Sequence, residues 1–288
     1  MAAILPVRVV RPCQVDRLAT SAVRTVLQWA GIQLRRAGGV IGTVELERLM
    51  ARGWQGTAVE KLGDWLLRAG SGFTGRANSV LPLGSPGCEL VDALARVDSF
   101  YRRHDLPAMF QIPVCAETAD LDRYLTLAGW SVVNASVVLT ASLHRATLLA
   151  PPADSGFEVA FDDRPDADWL TGYLYRGSPL PASAIEVLVN ADDVIFASLR
   201  DGESQLAVVR GVLTDGWLGV TALTVSKARR RGGIGSVLMG ELFRWAARRG
   251  AHSVYLQVAA DNDAALGLYQ RLSFAEHHRY HYRRGPQP

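Results

Sequence analysis

Residues 223–239 constrain the fold more than any other stretch of this 288-residue chain. An apolar run with strand character gives way to Lys227, Arg229, Arg230 and Arg231. Gly232, Gly233 and Gly235 follow and open directly into an amphipathic helix. A strand that feeds a helix through glycines makes an anion site. The backbone turns so that several N–H groups converge, and the helix start adds the positive end of its dipole. Residues 226–250 carry seven basic side chains (Lys227, Arg229, Arg230, Arg231, Arg244, Arg248 and Arg249) against one acid, Glu241. That local excess favours a phosphate-bearing guest.

The length suits two domains, and a hydrophobic content of 49% is enough to fill their cores. No run approaches a membrane span, and the short apolar stretch after Met1 has no basic residue before it. A cytoplasmic protein with no membrane partner is therefore expected. Cys13, Cys88 and Cys115 are widely spaced and form no Cys-x-x-Cys pair, which points to reduced thiols rather than disulfides or zinc.

Hydrophobic periodicity predicts helices over residues 16–36, 44–51, 87–103, 120–128, 166–175, 236–249 and 262–272. It predicts strands over 64–69, 77–83, 107–114, 132–143, 157–161, 194–199, 205–213, 217–225, 253–259 and 275–282. Asp201-Gly202 and Asp215-Gly216 suit tight hairpins. Pro151, Pro152 and Gly156 mark a linker over 147–156.

The two halves share a layout. Val80 and Val225 each end a strand before a loop and a helix. Trp130 and Phe274 each follow a helix, and Phe110 to Ile112 lines up with Leu256 to Val258. The partners in each pair stand about 145 residues apart, as a duplicated unit requires. The copies differ at the glycine loop. The first half has Leu83-Gly-Ser-Pro-Gly-Cys88 there, lacks the basic run, and loses an amide donor at Pro86. Only the second half is expected to bind the anion.

Two motifs now stand in order: Arg230-x-x-Gly233-x-Gly235, and Asn262 with Ala265, Leu268, Tyr269 and Phe274. Together they resemble the GNAT superfamily of N-acetyltransferases, over roughly residues 157–282. Ser273 stands where that family usually has glycine. The first half looks like a degenerate GNAT-like lobe. Segments such as Gly63-Asp-Trp-Leu-Leu-Arg-Ala-Gly70 and Ala77-Asn-Ser-Val-Leu-Pro-Leu83 resemble those of tandem-lobe bacterial members. The resemblance implies an α/β (α+β) fold of two tandem lobes, each a mostly antiparallel mixed sheet flanked by helices. A helical extension at 1–43 would precede the degenerate lobe at 44–146, the linker and a catalytic domain at 157–288.

The resemblance also implies acetyl-CoA as co-substrate and direct transfer of its acetyl group to a primary amine, on a small molecule or a protein. The implied binding residues are Leu223, Val225, Arg230, Arg231, Gly232, Gly233, Ile234, Gly235, Ser236, Asn262, Ala265 and Tyr269. Amides of Arg231, Gly233, Gly235 and Ser236 would hold the pyrophosphate. The strand ending at Val225 would splay from its neighbour at a bulge and leave an amide for the acetyl oxygen. Tyr269 is the candidate general acid, and Asn262 suits a helix cap. The general base stays open. Glu186, Asp215 and His252 can titrate, yet each reads as a surface or turn residue. His277, His278 and His281 read as a solvated strand end rather than a metal site.

Two rival glycine motifs fail. A Walker loop needs Lys before Ser236, and a dinucleotide fingerprint needs glycine where Leu238 stands. Two other functions compete: a non-catalytic acyl-CoA-binding or regulatory protein, and nucleic-acid binding through residues 227–231. The second is disfavoured because the basic run sits where cofactor phosphates would lie.

Overall fold

The computed structural model describes residues 41–153, 156–175 and 177–286. The helix expected over 16–36, with most of the 1–43 extension, lies outside them. Gly42–Pro288 form one compact unit.

The first half opens with α1 (Thr43–Gly53), the hairpin β1 (Ala58–Leu62) and β2 (Trp65–Ala69), and the short β3 (Leu81–Pro82). Then come α2 (Leu90–Arg103), β4 (Met109–Pro113), α3 (Ala116–Leu127), β5 (Ser131–Ser142) and α4 (Leu143–Leu149). The second half runs β6 (Glu158–Asp162), α5 (Ala167–Gly172), α6 (Ala184–Val189), β7 (Val194–Asp201), β8 (Ser204–Thr214) and β9 (Trp217–Val225). It closes with α7 (Ile234–Arg248), β10 (Ser253–Ala259), α8 (Asp263–Arg271) and β11 (Ala275–Arg284). Residues 147–149, read as linker, complete α4, while the prolines that follow it lie outside any regular element.

Local chemistry explains the regular parts. Asp215 and Gly216 both take positive φ, +48° and +77°, as a two-residue turn between β8 and β9 requires. On α7, Leu238, Leu242, Phe243 and Ala246 recur at helical spacing and are fully buried against the sheet. None of the described helices is long and apolar enough to cross a membrane.

The tandem lobes share their sheet. Strand order is β4-β11-β5-β10-β9-β8-β7-β6, with β1-β2-β3 a separate three-stranded sheet bridged to β4 through Val80 and Phe110. The last strand of each half crosses to the other. β5 pairs with β10, β11 pairs with β4, and β5 and β11 pair with each other, all antiparallel. The parallel pairing of β9 with β10 has its counterpart in the parallel Val80–Phe110 bridge. The repeat in the sequence thus becomes a reciprocal exchange of strands around a pseudo-two-fold.

Candidate active site

The site begins where two strands part. β9 and β10 pair in parallel from Trp217 and Ser253 as far as Val220 and Leu256. Beyond that, β9 stays paired to β8 through Val225, and β10 to β5 through Ala259, but not to each other. A bulge drives the parting. Arg210 faces Thr221 and Val208 faces Thr224, so Ala222 and Leu223 together oppose Val209. Ala222 takes φ +60°, the left-handed conformation of a bulged residue.

The bulge also sets which amides face the gap. Ser226 N–H donates to Leu206 O at 2.8 Å. Residues bonding a given antiparallel neighbour alternate. Thr224 therefore turns its amide to β8, while Leu223 and Val225 turn theirs toward the gap. The Val225 carbonyl confirms this phase by accepting from Arg230 Nε at 3.2 Å.

The glycine loop closes one end of the gap. Arg231 and Gly233 take φ +63° and +79°, and Gly233 caps α7 in the left-handed region. The first-turn amides of Ile234 and Gly235 have no carbonyl one turn behind them. Ser236 N–H is less free than the sequence implied, because it donates to Gly233 O at 2.9 Å and tightens the first turn. A Cβ on Gly235 would stand 3.4 Å from Val225, 3.6 Å from Leu268 and 4.0 Å from Leu223, pointing into the gap. The protein itself has room for that methyl, so a guest is what would exclude a larger side chain.

These pieces wall a cleft of about 680 Å³. Every residue named from the sequence as cofactor-binding lines it except Gly232. Arg229 and Arg271 add two further guanidinium groups, Thr224, Ala264 and Leu268 add wall, and Leu174 and Gly177 close the side. Thr224 and Leu268 sit inside the two motifs and were legible there. Leu174 fell in the helix expected over 166–175, which ends at Gly172, and Gly177 fell in no expected element. Asn262 Oδ1 accepts from Ala265 N–H at 3.1 Å and caps α8. Arg229 pairs with Asp201 at 3.5 Å, so one of the basic residues is partly compensated.

Tyr269 is 8% exposed and lines the cleft. Its hydroxyl makes no hydrogen bond among the described residues, yet it is not one of the fully occluded polar atoms. Burial pushes its pKa up to about 12. The phenol is thus a neutral donor facing the cleft across ordinary pH.

Glu186, Asp215 and His252 line no part of the cleft. Glu186 is exposed on α6, Asp215 pairs with Arg52 in the β8–β9 turn, and His252 contacts Ser253 at 3.0 Å. The histidine reading needs correction. His278 is buried, with Nε2 2.9 Å from Glu47 Oε1 and Nδ1 2.8 Å from His277. Glu47 also accepts from Gln111, which accepts in turn from buried Arg68. His281 and Arg283 both reach Asp122. Strand exchange inserts β11 beside β4, so His278, His281 and Arg283 meet carboxylates from the first half. No group of candidate metal ligands occurs among the described residues.

The first half lacks the site. Val80 N–H donates to Met109 O and Gln111 N–H to Val80 O, both at 2.8 Å, which closes the corresponding seam. The loop after it folds back: Ser85 N–H meets Asp64 Oδ2 at 3.3 Å, Gly87 N–H meets Ser85 Oγ at 3.1 Å, and Ser85 O accepts from Asp64 N–H.

Comparison with known proteins agrees with this fold. Residues 43–283 match the family model described as "Probable histone acetyltransferase Rv0428c C-terminal". The chain is 29% identical to the "Uncharacterized N-acetyltransferase YobR" of Bacillus subtilis over 248 residues, 83% of this chain and 97% of that one. It is 28% identical to the "Probable histone acetyltransferase Rv0428c" of Mycobacterium tuberculosis over 246 residues, 82% of this chain and 72% of that one. Among solved structures, a GCN5-related N-acetyltransferase from Kribbella flavida superposes with TM-score 0.62 at 16% identity, covering 86% and 98% of the two chains. A tandem GNAT protein from the clavulanic acid biosynthesis pathway gives 0.58 at 13% identity, covering 96% and 97%.

Proposed function

This chain belongs to the Rv0428c C-terminal acetyltransferase family and is a GNAT-fold N-acetyltransferase; we propose that it draws its acetyl group from acetyl-CoA and passes it directly to a primary amine. The observation that carries the reading is the bulged, splayed β9–β10 seam ending at a glycine-opened helix inside a basic cleft.

The residues present fit that co-substrate. Amides of Arg231, Gly233, Ile234 and Gly235, with the dipole of α7, would hold the pyrophosphate, and Arg229, Arg230 and Arg271 would balance its charge. Leu223 and Val225 present backbone groups to the pantetheine arm, and one of their N–H groups would polarise the acetyl oxygen. When bound, acetyl-CoA supplies the activated acyl carbon. Tyr269 would donate its proton to the departing sulfur. A phenol at about 12 is a weak acid for a thiolate whose free pKa is about 8.5. Desolvation in the same cleft raises the basicity of sulfur as well, which narrows that gap. No side chain in the cleft suits the base, so the amine proton would leave through water.

The non-catalytic reading does not explain a buried phenol whose hydroxyl faces the cleft. The nucleic-acid reading is weakened because Arg229, Arg230 and Arg231 all line the cleft. A thiol-release assay with acetyl-CoA and a panel of amines tests the proposal. Release that depends on added amine is expected; release at the same rate without amine would contradict it.

A further inference from the structure

A second and larger cavity, about 990 Å³, lies on the other side of the splayed seam. Its walls come from both halves. β10 and the residues after it contribute Gln257 to Asp261, β11 contributes Tyr280 and Tyr282, and the first half contributes the loop around Arg76. One segment separates cavity and cleft: Tyr173 and Tyr175 line the cavity, while Leu174 and Gly177 line the cleft. A group held in the cavity can therefore present an amine to the seam where an acetyl group would sit.

The cavity is positive and poor in acids. Asp261, exposed at its edge, is the one carboxylate among its lining residues, against Arg76 and Arg284. Arg76 is half-buried, with its guanidinium 4.7 Å from the Trp54 ring, and has no ion pair or hydrogen bond among the described residues. Arg210 lies against the same indole at 4.9 Å and is fully buried. Its partners are neutral: the Leu188 and Gly53 carbonyls and the Thr221 hydroxyl. Its Nη2 has no hydrogen-bond partner among the described residues. Burial lowers its pKa to about 9, as expected for a guanidinium without a counter-charge. Of the two guanidiniums against this tryptophan, Arg76 is the one that lines the cavity, and an anionic guest there would give it the counter-charge that neither has.

We propose that this cavity holds the acceptor, and that the acceptor is a primary amine bearing a carboxylate, gripped by the Arg76 fork. A planar guanidinium matches a carboxylate in two parallel hydrogen bonds. The same charge pattern disfavours a polycationic peptide. The inference rests on the acetyl-CoA reading and specifies its second substrate. An N–C bond forms between the acceptor nitrogen and the acetyl carbon, the C–S bond breaks, the sulfur takes a proton and the nitrogen loses one.

The test compares L-amino acids with their α-amides as acceptors for the full chain. Amides have the less basic amine, so chemistry alone favours them. The proposal expects at least one acid to exceed its amide in kcat/KM by roughly 10- to 100-fold, the range of one charged hydrogen-bonded contact. Arg76→Ala should abolish that preference, mainly through KM, and Arg76→Lys should restore part of it. No acid outrunning its amide, or a preference that survives in Arg76→Ala, overturns the proposal. Calorimetry with acetyl-CoA on the same preparations separates the two readings. If wild type fails to bind acetyl-CoA, the co-substrate reading falls; if it binds but shows no acid preference, only the acceptor class falls.

Discussion

At the scale of single residues, the proposed chemistry rests most heavily on Tyr269. Tyr269→Phe removes only the hydroxyl from a ring packed 5.7 Å from Phe274, so folding should survive. Turnover is expected to fall about 100-fold, the usual range for a general acid, while the acetyl-CoA dissociation constant stays unchanged. The pH dependence follows from sign. A phenol with a pKa near 12 is protonated at every pH below it, so the acid is fully present up to about pH 10. Wild type and Tyr269→Phe should therefore share the shape of their pH–rate profiles between pH 6 and 10. Turnover by Tyr269→Phe equal to wild type would refute the assignment; a basic limb below pH 10 that vanishes in the mutant would instead place the phenol's pKa lower than about 12. Tyr269, Arg230 and the glycines were legible because chemistry fixes their types at fixed spacing. Arg76 and Arg210 were not. Their meaning lies in what is missing around them, and sequence does not show an absent carboxylate.

At the level of elements, the bulge in β9 makes the cleft. Ala222 pays a left-handed penalty of about 1 kcal/mol there. Ala222→Gly should leave stability unchanged or slightly raised. Ala222→Val should lower it by roughly 2 kcal/mol and weaken acetyl-CoA binding, because a β-branched residue resists that conformation. Denaturant unfolding of both variants measures this; an Ala222→Val variant as stable as wild type would mean that the backbone is not strained at 222. A second element-level device ties the residues after α4 to α7. Glu241 accepts from Arg244 at 2.8 Å and from Ala153 N–H at 3.1 Å. The Arg244 hydrogen bond holds its carboxyl below the usual glutamate range. A lowered folded value stabilises above the unfolded one and is lost as pH falls through it. Glu241→Gln should therefore cost up to about 1 kcal/mol near pH 7, discounted for partial exposure. Melting curves against pH should show that cost shrinking in acid, below about pH 4.5. Periodicity exposed the long amphipathic elements well. It missed β1, α4 and α6 (Ala184–Val189), since a short apolar run such as Ala-Ile-Glu-Val-Leu-Val suits a strand as well as a helix.

The whole molecule is organised by strand exchange. β5 sits between β11 and β10, so neither half can complete its sheet alone. The repeat was readable at a period of about 145 residues, but the exchange was not, because equal strands from either copy fit either slot by pattern. Residues 157–288 expressed alone should fail to give a cooperative thermal transition, while the two halves expressed together should recover one. A stable isolated second half would contradict the shared sheet. Among the described residues the same architecture opens this seam in the second half only, since Val80 closes it in the first half and the bulge opens it in the second. The most direct test is titration calorimetry of wild type and Gly235→Asp with acetyl-CoA. Saturable one-site binding by wild type is expected, with affinity lost by at least about tenfold when a carboxylate enters the gap facing Val225 and Leu268. No binding by wild type, or equal binding by Gly235→Asp, would contradict the account.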